Sequence, residues 1–230
     1  MVQVPKRKDL LEQEENMKEC IYNIETTIIG EQDGSKTYEV RKKYDFEGRT
    51  SVVIALYPTV SLLNPYMMDN STLFLLNHAR ELGYNYIRIL NIYPNVFSRK
   101  PLSKQLRHSS ENMEYIKSVL NSEKEKETDI IIAWGTSLKT NDTTNEIKAE
   151  IIRMISQIGL EQNLKHFIGI GLDREERLTP HMLWLGLHCK GSWFVENITV
   201  KELAESIGKE IVEQEKVKKT RTKSKTKVIK

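Results

Sequence analysis

The chain is poor in several things that would have named a function. Two cysteines in 230 residues, Cys20 and Cys189, are too few for a disulfide framework, so a reducing, cytoplasmic setting is expected. No apolar run approaches the roughly 18 residues that a membrane span needs. The opening MVQVPKRKDLLEQEE is charged and has no apolar signal core. No G-x-x-x-x-G-K-[ST] phosphate loop and no G-x-S-x-G nucleophile elbow is present. Gly169-Ile170-Gly171 lacks the third glycine of a dinucleotide fingerprint and follows the last core strand rather than the first. There is no C-x-x-C, and the five histidines do not fall at metal-ligand spacings. His181, His188 and Cys189 make only a loose trio, so neither a metal nor a cofactor is expected.

What the chain does have is a hidden charge asymmetry. The overall charge is +3, yet residues 216–230 alone carry seven Lys, one Arg and no acid. Removing those eight from the 35 basic residues leaves 27 against 32 acids, a net of −5 for 1–215. The body is therefore no broad nucleic-acid platform. The Lys/Thr/Ser tail cannot bury enough apolar surface to fold alone and is expected to be disordered. Its Lys218, Lys219, Arg221, Lys223 and Lys225 either grip phosphates by counterion release or merely keep the chain in solution.

Hydrophobic residues make up 39% of the chain, enough for a core. Residues 1–20 read as a polar segment, 21–215 as one α/β domain and 216–230 as the tail. IYNIETTIIG, the turn EQDGS and the alternating KTYEVRKKYD predict a hairpin with strands near 21–29 and 36–44. Continuous apolar runs at 51–57, 86–93, 129–135 and 166–172 predict strands buried on both faces. Helical spacing predicts helices over 71–82, 108–123, 144–160 and 199–217. HMLWLGL (181–187) reads as a short fifth strand. This order predicts a three-layer α/β sandwich. Its sheet would be mostly parallel, of four to five strands, with the hairpin at one edge.

Open parallel sheets bind ligands outside the carboxyl ends of their strands. Those ends supply Tyr57, Pro58, Thr59 and Asp69 after the first core strand. Asn91, Tyr93 and Arg99 follow the second, Trp134 and Gly135 the third, and Pro180-His181 a later loop. His181 is suited to donate a hydrogen bond to a departing oxyanion or base, and Trp134 offers a stacking face. Arg99 is suited to hold phosphate.

In order, these segments resemble the bacterial and phage family called domain of unknown function 1643. The resemblance runs through Tyr57-Pro58-Thr59, Asp69-Asn70-Ser71-Thr72, Gly83-Tyr84 and Asn91-Ile92-Tyr93, over about 38–190. It continues through Arg99-Lys100-Pro101, Ala133-Trp134-Gly135 and Thr179-Pro180-His181. Tyr57 stands where that family has Asn, and Met182 where it has a second Pro. A more distant likeness of layout links the early Tyr57-Pro58 turn and the late Pro180-His181 to uracil-DNA glycosylases. The family implies no activity of its own; the rim pocket and basic tail, with this layout likeness, point to a nucleobase, nucleotide or DNA, with N-glycosidic hydrolysis as the specific reaction. Catalysis would fall to His181, Asn91 and Asp69, and binding to Tyr57, Pro58, Thr59, Tyr93, Arg99, Trp134 and Gly135. The alternative is a binding module without turnover, for example in phage–host conflict; the Tyr57 departure favours it.

Overall fold

The computed structural model describes residues 21–97, 99–170 and 178–207. The polar segment 1–20, the tail and the far half of the expected last helix lie outside them. Seven strands form one sheet: β1 (Ile24–Gly30), β2 (Thr37–Tyr44), β3 (Arg49–Ala55), β4 (Tyr84–Asn91), β5 (Thr128–Ile132), β6 (Leu164–Gly169) and β7 (Trp193–Asn197). Their spatial order is β1-β2-β4-β3-β5-β6-β7. β4, β3, β5 and β6 are parallel, while the β1–β2 hairpin and β7 add antiparallel strands at the two edges.

The crossovers bury alternate residues of each central strand on opposite faces. Val53 and Ala55 of β3 pack with α1 (Asn70–His78) and α4 (Met182–His188). Val52 and Ile54 pack with α2 (Ser110–Glu123), α3 (Asp142–Ile158) and the helical residues 200–207, here α5. This two-sided burial is why β3 reads as an unbroken apolar run. Each helix start carries its cap. Asp69, Ser109 and Asn141 accept the Thr72, Asn112 and Thr144 amides, and Gly159 ends α3 in the left-handed region at φ 85°.

Two elements differ from expectation. HMLWLGL is α4, not a strand. Met182 and Leu185 are buried while Leu183 and Leu187 face out, a helical stripe that seven apolar letters cannot distinguish from a strand. The sheet instead gains β7, five residues of which only Trp193 is deeply buried; this raises the count to seven strands.

A buried ion network ties the hairpin to the parallel sheet. Arg88 of β4 donates to Glu39 of β2 at 2.5 Å and to Glu123 of α2 at 2.6 Å. Tyr115 and Arg41 also donate to Glu39, and Thr128 to Glu123. Burial alone would raise the Glu39 carboxyl. Hydrogen bonds from Arg88, Arg41 and Tyr115 outweigh it and hold the group below the usual carboxylate range. Glu123 behaves alike, its burial outweighed by Thr128, Lys126 and Arg88. Because both folded-state values are depressed, the stabilisation is complete above the ordinary carboxylate range. It is lost as pH falls through the depressed values. Arg88→Ala leaves Glu39 buried without its main partner and is expected to cost about 3–5 kcal/mol in urea unfolding at pH 7. The cost should shrink in acid; equal stability of variant and parent at pH 7 would refute the network's role.

Candidate functional site

The strand order places an opening where β3 ends. The chain leaves β3 towards α1 on one face, whereas β4 and β5 feed α2 and α3 on the other. The crevice between diverging connections is where open α/β sheets take ligands. A cavity of about 160 Å³ lies at this carboxyl rim. Its walls are the β3 end and following loop (residues 55–60), the first turn of α1 and Asn91 at the end of β4. Ser137 after β5 and residues 181–183 at the start of α4 complete it, with Val40 and Ile89 beneath.

The rim is braced by backbone bonds that extend the parallel pairing beyond the strands. Ile92 and Tyr93 amides donate to the Ala55 and Leu56 carbonyls at 3.1 Å each, and Phe97 N–H reaches the Pro58 carbonyl. Thr37 Oγ1 donates to the Val60 carbonyl at 2.7 Å. Tyr57 is half-buried and meets Phe97 edge to face with centroids 5.6 Å apart. Tyr57, Pro58 and Thr59 thus line the cavity on a fixed turn.

Asn91 shares the β4 face of Ile87 and Ile89, so its side chain points towards α1 and α4. It is 3% exposed. Asn112 of α2 donates to its backbone carbonyl at 2.9 Å, but its carboxamide has no hydrogen bond to any described residue. The Asn91 carboxamide atoms are not among the sealed, unpartnered ones of the described residues, so they face the cavity, where water or a ligand can meet them.

Asp69 caps α1. Its Oδ1 accepts from the Thr72 amide at 3.0 Å and its Oδ2 from the Thr72 hydroxyl at 2.7 Å. His181 caps α4: its Nδ1 accepts from the Leu183 amide at 3.2 Å, which leaves the proton of the neutral ring on Nε2. Burial pushes the His181 pKa down, and the Asp69 charge opposes the shift. Lys42, buried behind Val40, donates to Thr26 Oγ1; burial lowers its pKa too, again against Asp69.

His181 stands on two left-handed residues. Gly135 (φ 63°) donates its amide to the carbonyl of Thr179 (φ 56°) at 2.9 Å. Thr179 is the only non-glycine residue with positive φ among the described residues, a conformation that costs about 1–3 kcal/mol. A Cβ on Gly135 would stand 3.0 Å from the His181 Cβ. Gly135 and His181 also border a second cavity of about 50 Å³.

Three expected binding residues lie elsewhere. Trp134 is 3% exposed inside the α2–α3 core, with Lys148 Nζ 5.6 Å from its ring centre, so it offers no stacking face. Tyr93 is buried there as well, its hydroxyl paired with Thr144 Oγ1 at 2.8 Å. Arg99 is exposed and lines neither cavity. His188 stacks on Trp184 at the far end of α4 from His181. No three His, Cys, Asp or Glu among the described residues are grouped to hold a metal. None of the described helices is long and apolar enough to cross a membrane. Val40, Ile89 and Ser137 were not expected at the site. The two apolar residues become floor only through the β2–β4 pairing, and Ser137 through the loop that packs under His181.

Residues 38–171 match the model of the family described as Protein of unknown function (DUF1643). The chain belongs to that family. The matched residues run from β2 to the end of β6, and so include Tyr57, Asp69, Asn91 and Gly135 but not His181. No curated protein and no solved structure matches the chain.

Gly135→Ala is expected to destabilise by about 1–2 kcal/mol, from the left-handed backbone alone, in thermal or urea unfolding. Asp69→Ala should lose about 0.5–2 kcal/mol, whereas Asp69→Asn, which keeps a capping oxygen, should stay within a few tenths of the parent. Equal losses in the two Asp69 variants would contradict the capping role.

Proposed function

We propose that the rim cavity binds a nucleobase, carried by a nucleotide or by DNA, and that the finer reaction is hydrolysis of an N-glycosidic bond. The observation that supports this best is the Asn91 carboxamide, without a hydrogen bond to any described residue, on a cavity wall shared with His181 and Asp69. A carboxamide presents one acceptor and two donor hydrogens, the complement of a base edge. The Tyr57–Thr59 turn would place a water. His181, neutral with Nε2–H free, would donate to the base as negative charge develops on it. Asp69 is the one carboxylate on the cavity wall. The basic residues of 216–230 would hold phosphate outside the cavity.

A second reading, capture without turnover, is favoured by two observations. Tyr57 replaces the Asn of the resembled family, and both Asp69 oxygens already serve the α1 cap. Neither leaves an obvious general base.

A thermal-shift screen of bases, nucleosides, nucleotides and short DNA, on the full chain and on 1–215, tests the binding claim. A ligand at 100 times its Kd adds about 2.7 kcal/mol, a shift of several degrees. The expected result is a hit that survives loss of 216–230. Base release that His181→Ala abolishes would support hydrolysis; a tight ligand with no product would support capture. Response only by the full chain, and only to polymers, would remove the cavity from the account.

A further inference from the structure

Independently of the nucleobase reading, we propose that the outer face of α1 and α4, with the loop that precedes α1, is the surface on which two copies of this chain pair.

The two helical layers differ in charge. The exposed positions of α2 and α3 include Glu111, Glu114, Lys117, Glu146 and Arg153. The opposite layer has almost none. Residues 50–77 hold one formal charge, Asp69, and residues 178–189 hold none, in a chain of which 29% is charged. Both oxygens of Asp69 are engaged in the α1 cap.

Where charge is missing, large apolar side chains stand in solvent. Tyr66 is 97% exposed and Leu63 is 72% exposed, with Met67 and Met68 beside them on the loop 61–68. Leu73 of α1 and Leu183 and Leu187 of α4 are exposed as well. These residues share one surface. The loop runs from Val60 to Asp69, both on the wall of the rim cavity, and Leu183 lines the same cavity. Leu73 lies one turn on from Asp69, and Leu187 one turn on from Leu183. The helices lie side by side, because the Phe74 ring occupies the space that a Cβ on Gly186 would need. The loop is held by its own turns: the Asn64 amide donates to the Ser61 carbonyl at 3.1 Å and the Met67 amide to the Asn64 carbonyl at 3.2 Å. Leu63 leans on Gly34 of the β1–β2 turn.

At roughly 200 Å² for a fully accessible large side chain, these seven leave about 800 Å² open. The largest apolar patch of a typical monomer is roughly 300–600 Å², and a stable complex buries about 800 Å² on each partner. Tyr and Met without charge is also the composition of an interface core.

The lack of charge selects the occupant. In a two-fold pair a patch meets itself, so a charge near the axis faces its own like charge. An uncharged patch escapes that repulsion. It gives an oppositely charged protein nothing to pair with, and without Lys or Arg it gives anionic lipid no hold. A second copy is the partner that matches it in both respects.

The test is sedimentation velocity of the full chain from about 1 to 100 µM, a range that spans a micromolar Kd. The expected result is a species of twice the chain mass that grows with concentration. Its association constant should change less than about threefold between roughly 0.05 and 1 M salt, since no charge pair is involved. Leu63→Glu together with Tyr66→Glu should weaken pairing at least about tenfold, by placing carboxylates opposite their own copies. Both positions are exposed, and a far-UV circular-dichroism spectrum checks the fold. Hydrogen exchange of the wild type gives a second readout that needs no variant: amides in 61–73 and 182–188 should exchange more slowly at the higher concentration. A chain that stays monomeric at about 100 µM would overturn the proposal. So would a dimer that the folded variant keeps, one that leaves exchange at those residues unchanged, or one that falls apart steeply with salt, the mark of basic tail on acidic body.

Discussion

The first parallel strand lies in the middle of the sheet, and the rest of the architecture answers to that. β3 is paired on both sides, by β4 and by β5, and covered on both faces. Its successor strands are therefore reached by crossovers on opposite faces. The loop that leaves β3 diverges from those that leave β4 and β5, and a crevice opens where they part. The hairpin and β7 cover the two edges without disturbing it. The crevice then collects the Tyr57–Thr59 turn, the α1 start, Asn91 and the α4 start.

The two ends of the parallel strands carry opposite kinds of polar chemistry. At the amino end Asp129 is fully engaged: it accepts from Tyr84 at 2.6 Å and Arg49 at 2.8 Å, with Lys165 Nζ 3.3 Å away. On the α2 face the Arg88 network likewise pairs every charge it buries. At the carboxyl end the Asn91 carboxamide faces the cavity without a protein partner, Thr179 holds a strained backbone and two helices begin side by side. A strained backbone costs stability and persists where the surroundings impose it.

Much of the architecture was legible because burial on two faces leaves a strong mark. VVIA, IRILN and DIII announced central strands, and helical spacing announced α1, α2 and α3. The errors fell where the mark is weak. A seven-residue apolar run at 181–187 fits either period, and β7 is too short and too exposed to stand out. Reading the strand ends named Tyr57, Pro58, Thr59, Asp69, Asn91 and His181, and these residues line the candidate cavity. Trp134 and Tyr93, each two residues past a strand end, turn their rings into the α2–α3 core instead. Val40 and Ile89 could not be foreseen, since which hairpin residue meets β4 depends on register rather than composition.

The account turns on Asn91 meeting a ligand in the cavity. The most direct measurement is NMR of its side-chain amide group in the full chain, assigned by comparison with Asn91→Leu, while the base or nucleotide that gives the largest thermal shift is titrated. The account predicts that the two Asn91 amide protons shift markedly and in step with binding, one of them downfield as it enters a new hydrogen bond. Binding of that ligand that leaves those resonances unmoved, while signals elsewhere in the chain respond, would contradict it.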